Sequence, residues 1–137
     1  VPCKHMGKMR RGVSHRDFGL EYCWGAHPRD GRNKTDCFQL VCEIRTRLGL
    51  SDHSEKFAWA YWWFTAETLK PRHVARWLLQ SGKRIKMPRD GAVALLAGTD
   101  NPALGTVVDG RIICIAPGGR VISILLEHVN AYYFWVD

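Results

Sequence analysis

Gly31-Arg32-Asn33-Lys34-Thr35-Asp36-Cys37-Phe38-Gln39-Leu40-Val41 closes a loop, offers a helix cap and launches a helix. Thr35 or Asp36 can accept the first free backbone N–H groups, and Cys37 follows at once. Cys37, Leu40, Val41, Ile44 and Leu48 then recur at i, i+3, i+4, i+7 and i+11, a single apolar stripe that predicts a helix through Leu48 with Gly49 as its stop. A cysteine in the first turn meets the positive end of the helix macrodipole, which favours the thiolate. With a base projecting from whatever the stripe packs on, Cys37 is placed as a nucleophile. Without one, the same spacing suits a cysteine that only fills a core.

Toward the C-terminus, Ser51 or Ser54 can cap a second helix through Phe57, Ala60, Tyr61 and Phe64. A third follows Pro71, with Val74, Trp77 and Leu78 on one face and Gly82 as its end. Beyond it the texture changes to short β-prone runs at 92–97, 104–108, 111–116 and 120–126, and an aromatic run at 131–136. Asp109-Gly110 is a two-residue hairpin signal, and Pro117-Gly118-Gly119 supplies another turn. Helices first and strands second predict an α+β fold, with N-terminal helices packed on a small C-terminal antiparallel sheet.

Toward the N-terminus the pattern dissolves into Gly, Arg and His punctuated by Pro28 and Gly31. Residues 1–19 read as a basic arm and 20–137 as the folded domain. Lys4, Lys8, Arg10, Arg11 and Arg16 precede the first acidic residue, and the whole chain carries a formal charge of +7. Such charge steers a protein toward acidic surfaces. No nucleic-acid recognition motif accompanies it, so nucleic acid is not the expected partner. The 137 residues, 46% apolar and 24% charged, suit one domain with a real core and exclude a disordered chain. No apolar run reaches membrane-spanning length. Five cysteines without framework spacing point to a reducing compartment during folding. Cys3-x-His5 and Cys23-x₃-His27 lack the spacing of a zinc knuckle, so neither a metal nor another cofactor is expected.

The local residues around Cys37 add a resemblance. Tyr22-Cys23-Trp24-Gly25, followed by the Asp36-Cys37 pair opening a helix, resembles the start of the NlpC/P60 cysteine-peptidase family, whose fold is papain-like. Pro88-Arg89-Asp90-Gly91-Ala92-Val93-Ala94-Leu95-Leu96 is similar to the strand that follows the helices in that family. Gly105-Thr106-Val107-Val108-Asp109-Gly110-Arg111-Ile112-Ile113 is similar to its histidine hairpin. The resemblance covers roughly residues 20–135, and its nearest form is the compact version found in tail-tip proteins of tailed bacteriophages. It implies Cys37 as the nucleophile of a peptidoglycan stem-peptide hydrolase.

The pattern breaks at the base. Alignment on Gly105 and Asp109-Gly110 puts Ala103 where the family keeps its catalytic histidine, and Cys114 where a second polar residue follows. Gln39 also replaces the family's usual glycine. His128, near the last strand, and His27, in the loop before the helix, are the candidate substitute bases; His53 and His73 read as surface residues. Two functions follow from the resemblance. One is a structural component of a phage tail tip or hub, located in the virion after synthesis in the host cytoplasm, whose partners are other tail proteins. The other is an active peptidase or amidase that cleaves peptidoglycan during cell entry. The aromatic runs Phe57 to Phe64 and Tyr132 to Trp135 exceed what one core stripe needs, which favours a docking surface and the first function.

Overall fold

The computed structural model describes residues 19–97 and 103–137. Residues 1–18 of the basic arm, with Cys3 and His5, lie outside the described residues. Two-residue strands β1 (Glu21–Tyr22) and β2 (Lys34–Thr35) pair in parallel and bracket the loop before helix α1 (Cys37–Arg47). The one-turn helix α2 (Ala60–Trp63) and then α3 (Pro71–Ser81) follow. Six strands complete the fold: β3 (Gly82–Ile85), β4 (Val93–Leu96), β5 (Leu104–Val108), β6 (Arg111–Ile115), β7 (Val121–Leu125) and β8 (Ala131–Val136). They form one antiparallel sheet in the order β3-β8-β4-β5-β6-β7. This is the expected α+β architecture.

The stripe on α1 is buried as its period demands. Leu40, Ile44 and Leu48 pack on Val108, Ile113 and Val121, while Val41 joins Val74 of α3 and Val93, Leu95, Leu104, Phe134 and Val136 of the sheet. Alternate residues of the same strands, Ala94, Val107, Ile112 and Cys114 among them, build a second core on the opposite face, as the two-residue period of a strand requires. The β5–β6 hairpin turns on Asp109 and Gly110, with φ of 51° and 72°, the left-handed pair that an Asp-Gly turn supplies.

One expectation needs correction and another is extended. Residues 54–59 form successive turns, not a second long helix, and only Ala60–Trp63 is helical. Their backbone bonds are mostly i→i+3, such as Ala60 N–H to Phe57 at 3.0 Å and Trp62 N–H to Trp59 at 3.0 Å. The tighter winding sends crowded aromatics to separate partners: Phe57 meets Phe38, Trp59 meets Trp77 and Tyr61 meets Trp24. Gly82 ends the third helix as expected, and it also opens strand β3 against β8. A Cβ there would collide with the carbonyl oxygen of Trp135, so only glycine lets the two strands approach.

Candidate active site

Asp36 is the N-cap of α1, and its carboxylate organises everything around the helix start. Oδ1 accepts the N–H of Gln39 at 2.8 Å. Oδ2 accepts the N–H of Gly25 at 2.9 Å and the hydroxyl of Tyr61 at 2.5 Å. Two segments remote in sequence, the 23–26 loop and α2, are thereby tied to one side chain that is only 2% exposed. Trp24 meets Tyr61 edge-on at 4.9 Å and closes the assembly. Burial raises the Asp36 pKa, and the bonds from Tyr61, Gln39 and Gly25 oppose that rise.

Cys37 follows as the first residue of α1. Its thiol is pushed up from 9.0 to about 11, first by burial and also by the neighbouring Asp36 charge; the backbone N–H of Leu104 pulls the other way. The helix end alone favours a thiolate, but apolar surroundings and an adjacent carboxylate outweigh it. Cys37 is therefore a thiol at neutral pH.

The thiol borders a cavity of about 650 Å³ whose wall is shared by α1, α3, the 51–69 segment and the sheet. Ala103, Leu104 and Cys114 share its wall, so the two positions where the resemblance would place polar partners for the sulfur carry alanine and cysteine. The Cys114 thiol is itself raised to about 11 by burial, so it too is protonated at neutral pH.

The histidines lie elsewhere or act otherwise. His27 is not on the cavity wall: its Nδ1 accepts the backbone N–H of Arg29 at 3.0 Å, and its backbone N–H donates to the Asp30 carboxylate at 3.1 Å. His128 is exposed at the end of the 3-10 turn after β7, also away from the wall. His73 caps α3, its Nδ1 accepting the N–H of Lys70 at 3.0 Å. His53, expected at the surface, lines the cavity, and its Nε2 is buried without a hydrogen-bond partner among the described residues.

Arg45 is a cavity residue that sequence reasoning passed over. It is 3% exposed and lines the wall with Cys37, Val41 and Cys42. The signal was present, since 37, 41 and 45 fall at i, i+4 and i+8 on one helix face. Among the described residues no group of three His, Cys, Asp or Glu side chains converges as a metal site requires, and no helix is long and apolar enough to cross a membrane.

No family model matches the sequence, and none of the curated proteins does. Among solved structures, the chain is similar to NlpC2 from Trichomonas vaginalis, with a TM-score of 0.50 and 17% sequence identity. The match covers 95% of this chain and 47% of that one, so this chain spans about half the length of the structure it resembles. At this identity the likeness is one of fold, and the fold is NlpC/P60-like.

Proposed function

We propose that this NlpC/P60-like domain is a structural component of a larger assembly, of the tail-tip or hub kind in a tailed bacteriophage, without efficient peptidase turnover. The observation that carries the reading is the setting of Cys37, a thiol held well above neutral pH beside Ala103 and the Leu104 amide. Cysteine-dependent cleavage of an amide needs a thiolate to attack and an acid to protonate the leaving amine. General acid–base help is typically worth about 10² to 10⁴ in rate, and at the two positions where the resemblance would place it stand Ala103 and Cys114. The exposed indoles of Trp62 and Trp63, 84% and 76% accessible, support a role in contacts with other proteins.

The test is turnover of peptidoglycan stem peptides by the purified full chain. Wild type and Cys37→Ala should release the same negligible amount of product. Robust release that disappears in Cys37→Ala would overturn the reading in favour of an active peptidase or amidase. Repeating the assay with His27→Ala, His128→Ala and His53→Ala, the last on the cavity wall, would then identify or eliminate the substitute base.

A further inference from the structure

Residues 68–89, which run through α3 and β3, contain seven Lys and Arg and no Asp or Glu. Arg72, Arg76, Lys83, Arg84, Lys86 and Arg89 are exposed, and none of the salt bridges among the described residues includes any of them. Three of these cations fall on or just past β3, which ends the sheet: among the described residues it pairs with β8 alone. The opposite end is built differently, because Glu21 bridges to Arg120 just before β7 and the Tyr22 N–H bonds to the carbonyl of Gly119. The register of β3 on β8 fixes where its cations stand. Lys83 lies opposite Trp135 and Arg84 opposite Phe134, and successive residues of a strand point to opposite faces. The two cations thus flank the edge, one on each face of the sheet. Arg84 is held 4.7 Å from the ring centre of Tyr132, two residues from its partner in register, which orients the guanidinium without neutralising it.

An edge strand presents backbone N–H and C=O groups to any extended chain that can reach them. Cations along such an edge oppose pairing with a second copy, since like charges would face one another. The same cations attract a strand of opposite sign, and charge complementarity of this kind guides partner choice. We propose that the β3 edge docks an acidic extended segment of a partner protein, which joins the sheet as a further strand and sets successive Asp or Glu residues against Lys83 and Arg84. Two observations specify this partner. The strand edge calls for a polypeptide, because it takes a backbone of amides to continue the ladder. The placement of Lys83 and Arg84 on opposite faces calls for carboxylates at adjacent positions, which alternate between the faces as the cations do. Arg72 and Arg76, one turn apart on α3, add to the field that draws such a segment in. The site goes beyond the assembly role proposed above, since an active peptidase could carry the same edge.

NMR titration of the isotope-labelled full chain with the capped peptide Thr-Val-Glu-Asp-Val-Thr tests this. The peptide should bind and shift the amide signals of residues 82–85 most. Replacing its Glu-Asp by Gln-Asn should weaken binding roughly tenfold, the worth of two exposed ion pairs. An analogue methylated at every backbone nitrogen keeps the charge but cannot donate to the ladder, and it should leave those signals unmoved. The double variant Lys83→Glu with Arg84→Glu should lose the acidic peptide and bind its Lys-Arg counterpart instead. Failure of the Glu-Asp peptide to bind wild type, or equal binding of the Gln-Asn peptide or the methylated analogue, would each overturn the proposal. So would a thymidine trinucleotide, with the same two charges, bound at 82–85 as tightly as the peptide, since the surface would then read charge and not a strand. If the double variant does not fold, the comparison of peptides on wild type decides it.

Discussion

The start of α1 and the start of β5 meet at one sulfur atom, and they are built in opposite ways. At the start of α1, Asp36 gathers Gly25, Gln39 and Tyr61 onto a single carboxylate. At the start of β5, Ala103 and Leu104 offer one backbone N–H and nothing that titrates. The apparatus that positions a cysteine is whole, while the side that would move a proton is apolar. Positioning and chemistry are separable here because they rest on different kinds of interaction. The helix start is needed for stability, since three chain segments lose their anchor without it. A base at the start of β5 would contribute nothing to folding, so its absence leaves the architecture undisturbed.

Removing the carboxylate tests the first half and should have the largest effect. Asp36→Ala deletes the N-cap and leaves the Tyr61 hydroxyl and the Gly25 N–H to find other partners. The cap is worth about 1 kcal/mol and each stranded buried group about 1 to 3 kcal/mol, so denaturant unfolding should register a loss on the order of 3 kcal/mol. A loss below about 1 kcal/mol would show that the network is ornamental and would remove the contrast.

The second half is tested by restoring what β5 lacks. Ala103→His puts an imidazole on the cavity wall that Cys37 shares. An imidazole within hydrogen-bond reach of the sulfur can take the thiol proton as a general base, so alkylation of Cys37 at pH 7 should accelerate roughly tenfold or more. In wild type, the pH–rate curve should have its midpoint near 11. An unchanged rate at pH 7 in Ala103→His would mean that the start of β5 does not face the sulfur in the way the comparison requires.

What the sequence revealed divides along the same line. The helix at Cys37 was legible because its cap, stripe and stop are all local, and the β5–β6 hairpin because Asp109-Gly110 fits a left-handed turn that few other pairs adopt. Ala103 was legible as the missing base only through the resemblance. The Tyr61 bond to Asp36 was not, because it joins positions 25 residues apart through a segment whose i→i+3 winding hides its period. Nor was the insertion of β8 between β3 and β4, since that register rests on same-face contacts among distant strands. Arg45 and His53 were hidden by their polarity: both types usually lie at the surface, and only the packed helices show them lining a cavity.

The smallest expected effect concerns Cys37 itself and is read from stability against pH. Its folded value of about 11 lies above the 9.0 of an unperturbed thiol. The folded state thus holds the proton more tightly than the unfolded chain does. That contribution is fully present below about pH 9 and is lost as the pH climbs through 11. Between pH 8 and pH 10 the unfolded thiol ionises and the buried one does not, which removes about 1 kcal/mol of stability. Cys42, Cys114 and Tyr22 are raised by burial too and push the same way, so wild type alone cannot isolate the term. Cys37→Ala can, because the burial that leads the rise in each of those three groups is common to both proteins and cancels in the difference. Unfolding measured at pH 8 and at pH 10 should show wild type losing about 1 kcal/mol more than the variant. Parallel losses would mean that the sulfur is solvated after all, and a steeper loss in the variant would mean that the folded state favours the thiolate. Either result would place chemistry where the apolar start of β5 now argues against it.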